Sequence, residues 1–468
     1  MPIFQCAAMF IDRAFWPPTL LPLRAKVNGA RCIALGFLAL LCVLCARPAQ
    51  AVTLLRDAGM EYGLGQISAP ILQAAGLSPN RVRVLIIDDS SFNAFVIDRS
   101  TIFIHSGLIA KSKDVEVLQA VIAHEAGHIA NGHIVRRNLN MANARTVAGL
   151  GSALGLIAAT AGGGEAAAGL AIGIQSSATR SFLGHTRAEE SAADRAAADY
   201  LRRAGIGAQG LINLHETFKG QEVLSVGRQD PYMQSHPLTR DRIRAAEAYV
   251  AANGAGPGPS DNDRYWFARV KGTLTAFDRS PKWTLARAAE EPWPDVTKLR
   301  EAIAWHQNRN LPKALAAIDA AIAIRPQDPF YRDLKGQILL ENRQWSAALA
   351  AYGKAVNLDP GDALLRGDYG RALLANKQYK DAQIQLEKSV SLDPRNPPVL
   401  RDLGQAYSRL GQNGMASLVT AERYALAGRL DDAEIHARRA YDLLPKGSAA
   451  SRRADDILIA AKQSKKRK

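Results

Sequence analysis

The chain has 468 residues, 47% of them hydrophobic and 22% charged, and a formal net charge of +15. That length allows two or three domains, and that balance excludes both a disordered chain and one wholly embedded in lipid. The basic excess suits anionic surfaces or acidic partners, but no nucleic-acid motif accompanies it, so nucleic acid is not an expected partner.

Arg24, Lys26 and Arg31 precede the apolar run "CIALGFLALLCVLC" at 32–45, and "ARPAQA" follows, ending at Ala51. A basic stretch, a short apolar core and Ala49-x-Ala51 read as a secretory signal over 1–51. The run is short for a membrane span. All four cysteines (Cys6, Cys32, Cys42 and Cys45) lie inside the signal at 1–51. The exported chain therefore needs no disulfide and has no cysteine nucleophile or metal ligand, and the bacterial periplasm is the expected compartment.

After the signal, "LLRDAGMEYGLGQISAPILQAAG" has helical spacing and stops at Gly76. "RVRVLIIDD" reads as a strand, and "NAFVIDRSTIFIHSGLI" as two short strands around a turn at Asp98–Ser100. "KDVEVLQAVIAHEAGHIANGHIVRR" returns to helical period. The Ala/Gly-rich stretch 147–178 contains two apolar runs. Close helix packing and a membrane-dipping hairpin both remain open for it. "TRAEESAADRAAADYLRRAG" is a further helix. "GAGPGPSDN" at 254–262 is a linker, with "DRYWFARVKGTLTAF" as a connecting helix.

Beyond residue 290 the chain repeats. Pro292, Pro326, Pro360 and Pro394 recur every 34 residues, as do Ala314, Ala348, Ala382 and Ala416. That period, with small residues at fixed contacts and a proline at the unit boundary, is tetratricopeptide spacing. The next proline is replaced by Gly428, so the units from about 400 to 461 are expected to be irregular or capping. The expected domains are a signal at 1–51, a catalytic domain at 52–252, a linker with connecting helix at 253–290 and repeats at 291–468. The fold class is α+β but mainly helical: a small sheet with helices, then an all-α solenoid.

The chemistry concentrates in "HEAGH". His124 and His128 stand at i and i+4, so a helix places both imidazoles on one face, and Glu125 follows the first. This is HExxH: two ligands for one Zn²⁺ per chain and a carboxylate that can take a proton from water. A metzincin's third histidine would fall at Ile134, so His133 is not expected to be a ligand and reads as a polar residue further along the helix. A carboxylate from elsewhere is the expected third ligand. Glu190 and Asp194 are i and i+4 among small residues. Glu190 is assigned to the metal, and Asp194 to a hydrogen bond that fixes a ligand histidine. Glu189 is the rival.

Together "HEAGH", "ESAAD" and "SHPLTRDR" resemble the zinc peptidase family that includes the CAAX prenyl proteases and the HtpX-type peptidases. The segment "NAFVIDRSTIFIHSGLI" resembles that family's strands before the zinc helix. An exported member with repeats is similar to the periplasmic, beta-barrel-assembly-enhancing branch. The resemblance covers about 53–250 closely and the repeats more loosely. It implies a zincin-like domain with zinc on His124, His128 and Glu190 and with Glu125 as base. It also implies a role for His236 at the active site, as a latch or an aid to the transition state, with Arg242 a weaker candidate for orienting the site. Asn93, Ala94 and Phe95 would form an edge strand for extended substrate. One departure is Val117, where many relatives carry an acid.

The implied activity is a periplasmic endopeptidase acting on unfolded or misassembled outer-membrane proteins. Its repeats would bind clients or the outer-membrane assembly machinery. The alternative is a chaperone or adaptor in which binding dominates and the peptidase is latched.

Overall fold

The computed structural model describes residues 53–135, 187–220 and 229–465. The signal read at 1–51 and the apolar stretch 147–178 lie outside them. Among the described residues, no helix is long and apolar enough to cross a membrane.

Four strands form one sheet in the order β1 (Leu54–Leu55), β2 (Arg83–Ile87), β4 (Thr101–His105), β3 (Ala94–Val96). β2 and β4 run parallel, while β1 and β3 are antiparallel to their neighbours. β3 is thus an edge. Asn93 O accepts the His105 amide, which makes 93/105 a hydrogen-bonded pair. Antiparallel alternation then turns Phe95 toward β4 and leaves Ala94 and Val96 with their backbone groups facing the open edge.

Against the sheet pack α1 (Ala58–Ala74), α2 (Ser106–Lys111) and α3 (Val115–Ala130). Asp57 caps α1 by accepting from the Met60 amide, and Asp114 caps α3 by accepting from the Val117 amide. The valine at 117 therefore leaves the cap intact, and its side chain is buried rather than on the surface. Nearly every residue of α3 is buried, which makes it the central element of the largest core cluster.

α4 (Arg187–Arg203) crosses α3, followed by α5 (Gln209–Phe218), α6 (Pro231–Ser235) and α7 (Arg240–Asn253). The connecting helix α8 (Asp261–Asp278) belongs to the same core, through Tyr265, Trp266, Phe267, Val270 and Leu274. After α9 (Pro281–Arg287), helical hairpins begin at α10 (Pro294–Gln307) and α11 (Leu311–Ile324). They continue as α12 (Pro329–Glu341) with α13 (Trp345–Leu358), α14 (Ala363–Ala375) with α15 (Tyr379–Leu392), and α16 (Pro397–Arg409) with α17 (Asn413–Leu426).

The turn inside each hairpin has a left-handed residue at the 34-residue interval: Arg309, Arg343, Lys377 and Gly411. The hairpin at 397–426 keeps this geometry. The irregularity expected from about residue 400 therefore starts only after Gly428, with α18 (Leu430–Leu443) and α19 (Ala449–Lys465).

Candidate metal centre

His124 and His128 emerge from the same face of α3, toward α4. Gly127 is what lets the two helices meet. A Cβ at that position would lie 3.0 Å from the Ala193 carbonyl oxygen and 3.2 Å from its Cα. That close approach carries Glu190, fully buried, onto the histidine pair. His124 Nε2 and His128 Nε2 are 3.0 Å apart. Glu190 Oε2 lies 3.4 Å from the first, and Glu190 Oε1 3.4 Å from the second. Zinc bonds of about 2.0–2.1 Å in tetrahedral array would separate ligand atoms by about 3.3 Å, so these three residues have the spacing that three ligands of such a site need.

His236 lies where a fourth ligand would fall. Its Nδ1 lies 3.3 Å from His124 Nε2 and 3.2 Å from Glu190 Oε1. Ligating atoms of all four residues fall within 4.8 Å of one another. The donor set, imidazoles and a carboxylate sealed from solvent, fits a divalent metal ion. His236 Nε2 is 3.2 Å from the Ala94 carbonyl and 3.3 Å from Glu125 Oε1. One imidazole thus touches the edge strand, the general-base candidate and the metal-ligand candidates together.

The surrounding residues fix the orientation of this cluster. His124 Nδ1 donates to Asp194 Oδ1 at 2.8 Å, which turns Nε2 toward the cluster as the atom that could ligate a metal. Arg242 holds Asp194 with both arms of its guanidinium, Nε to Oδ2 at 2.6 Å and Nη2 to Oδ1 at 2.8 Å. Its Nη1 reaches Glu190 Oε2 at 2.8 Å and the Pro237 carbonyl at 2.9 Å. One arginine therefore ties the His-Pro segment to both carboxylates.

Burial pushes the His124 imidazolium down, but Glu190 and Asp194 carry its pKa up to about 10. Burial dominates at His128 and holds it well below the usual range. Burial raises Glu190, yet the neighbouring imidazoles, His236 foremost, bring it well below an ordinary carboxylate. Asp194 is likewise held low, against burial, by Arg242.

His133 departs from the sequence reading. The helix does not continue to it: α3 ends at Ala130, Gly132 at φ 66° breaks it, and His133 opens a separate helical stretch. His133 is buried, and its Nδ1 shares a 2.9 Å hydrogen bond with His128 Nδ1. It supports the second histidine as Asp194 supports the first. Glu189 is half-buried and stands outside the cluster.

Of the three edge-strand residues, Ala94 turns its carbonyl to the site. Asn93 directs its side chain to Ser235 Oγ at 3.3 Å, and Phe95 packs with Leu85, Ile87 and Phe103. His215, buried with Nε2 3.7 Å from Asp194 Oδ2, and Tyr232 went unread in the sequence.

The model of peptidase family M48 matches residues 63–250. The chain carries an M48 peptidase domain. A tetratricopeptide repeat model matches 339–391 within the solenoid that follows it. The beta-barrel assembly-enhancing protease of Yersinia pestis is 25% identical over 247 residues, which cover 50% of this chain and 49% of that one. Metalloprotease LoiP of Escherichia coli (strain K12) is 31% identical over 172 residues, 35% of this chain and 60% of that one. Metalloprotease YcaL of the same organism is 28% identical over 200 residues, 40% of this chain and 70% of that one. The chain spans about half the length of the Yersinia relative. All of the cluster, from His124 to His236, lies within the M48 match.

Proposed function

We propose that this chain is a zinc-dependent endopeptidase of the bacterial periplasm that cleaves unfolded or misassembled outer-membrane proteins. The observation that carries the reading is the tetrahedral spacing of His124, His128 and Glu190 beside buried Glu125. When bound there, zinc supplies Lewis acidity to a carbonyl and lowers the pKa of a coordinated water toward about 7.

Glu125 accepts the proton of the attacking water and returns it to the leaving nitrogen. Ala94, on the open edge of β3, hydrogen-bonds an extended substrate that adds as a further strand. Asp194 and His133 hold the ligand imidazoles in place, and Arg242 holds the carboxylates. The solenoid binds the client or an assembly partner.

His236 is the latch. It completes a four-donor set, which is the form of a structural site rather than of a catalytic one with an open position. It also occupies the Ala94 carbonyl that the substrate strand needs. This closed arrangement is the observation that favours the second reading, an adaptor whose peptidase rests until a client or partner opens it.

The test of the main reading is cleavage of unfolded casein by the purified chain, with its metal content. Cleavage abolished by a chelator, restored by zinc, and absent in Glu125→Gln with zinc retained is the expected result. A cellular phenotype that survives Glu125→Gln would favour the adaptor.

A further inference from the structure

Tyr232 lies one helical turn before His236 on α6. Its ring is 4% exposed. It is stacked on Phe218 at 5.2 Å, edge-on to Phe92 at 5.8 Å, and tilted by 32° against the His236 imidazole with centroids 4.8 Å apart. The ring is therefore locked by aromatic packing beside the corner that His236 fills. Its hydroxyl is buried and finds no hydrogen-bond partner among the described residues. An orphaned buried hydroxyl costs stability, and a phenylalanine would pack the same ring without it. A group kept at such a cost next to a reacting centre calls for a partner that appears only during function.

We propose that the Tyr232 hydroxyl is a catalytic hydrogen-bond donor for the oxyanion formed when water adds to the scissile carbonyl. This deepens the peptidase reading and rests on it. Once His236 leaves its corner, the carbonyl of the strand on β3 takes the space alongside the phenol ring. Water oxygen bonds to the carbonyl carbon, the C=O π pair moves onto oxygen, and the water proton goes to Glu125. The phenol keeps its own proton and donates to the new oxyanion. The C–N bond then breaks, the nitrogen takes its electron pair and the proton from Glu125, and the carbonyl re-forms in the product acid.

The experiment compares the full metal-loaded chain with its Tyr232→Phe variant. Three readouts are expected together. Thermal unfolding stays at the same temperature or rises, because no partner is lost. Turnover of an unfolded fluorogenic peptide falls about 10²–10³-fold, with KM and zinc content unchanged. Affinity for a phosphinic peptide, a mimic of the tetrahedral adduct, falls at least tenfold, while binding of uncleaved peptide to Glu125→Gln is unaffected by adding Tyr232→Phe.

A lowered unfolding temperature would overturn the proposal by revealing a structural partner for the hydroxyl. So would turnover and phosphinic-peptide affinity that stay within about twofold of the wild type. A wild-type chain without zinc and without chelator-sensitive cleavage would instead sink the peptidase reading, and the role of Tyr232 with it.

Discussion

His236 poses the clearest question for a single side chain, because it contacts both the edge strand and the metal-ligand candidates. Replacing it by alanine frees the Ala94 carbonyl and opens the fourth corner. His236→Ala is expected to raise basal casein cleavage several-fold with zinc retained on the other three residues. A fall in activity would make the imidazole a participant in the reaction rather than a latch. Glu190→Gln is expected to lose zinc on purification and Glu189→Gln to keep it, because only Glu190 is buried on the histidine pair. The reverse result in elemental analysis would transfer the ligand role. His133→Ala should weaken zinc binding by about tenfold in a competition titration, since His128 loses the bond that orients its ring. At this scale the sequence was legible where geometry is local. The i, i+4 pair and the adjacent glutamate follow from the helix alone. His133 was not legible, because the turn at Gly132 breaks the helical register that placed it away from the site. Tyr232 was hidden for a related reason: its position depends on Phe92 and Phe218, which come from other elements.

The site depends on how closely two helices approach. α3 and α4 meet through Gly127 and Ala193, and the carboxylate of Glu190 can complete the cluster only at that separation. Gly127→Ala adds a methyl 3.0 Å from a backbone oxygen, which cannot move aside as a side chain could. The expected outcome is a modest loss of stability, about 1–3 kcal/mol for overpacking, and a larger loss of zinc affinity. Calorimetry on the metal-free chain and zinc competition separate the two effects. If zinc affinity is unchanged, the helices have room to spare and the glycine is incidental. Most elements could be read from periodicity: the strands at 83–87, 94–96 and 101–105, the capped helices and the 34-residue hairpins. The fate of α8 could not. Its apolar period marks a helix, but only the structure shows that its buried face completes the core around α3 rather than bridging two bodies.

At the scale of the molecule, the solenoid is seated on the peptidase domain. Phe330, Val356, Leu364 and Leu365 of the repeats share a core cluster with α1, α3 and α8. A partly buried ion cluster closes the contact further along. Asp393, after α15, pairs with Arg56 at 2.7 Å and with Arg83 at 3.0 Å, and Glu61 joins both arginines. No pattern in the sequence links Arg56 to an aspartate 337 residues away, so this docking was not legible there. Burial raises Asp393, but the two arginines outweigh it and bring its pKa from 3.8 to about 2. A carboxylate whose folded pKa is depressed contributes stability above its unfolded pKa and loses it as pH falls through the folded value. The difference corresponds to ~2 kcal/mol, present at neutral pH, declining between about pH 4 and pH 2 and gone below. Urea unfolding of the wild type and Asp393→Asn across that range is the measurement. The wild type should be the more stable at pH 5–7, and the two curves should converge near pH 2, where the aspartate is protonated and resembles the amide. A gap independent of pH would show that the cluster holds the solenoid by shape alone. If the gap closes as expected, casein cleavage at pH 7 by Asp393→Asn tests the next link. Turnover of a short peptide should be unchanged while that of casein falls, because on the proposed function only the longer client reaches the solenoid held against the peptidase domain.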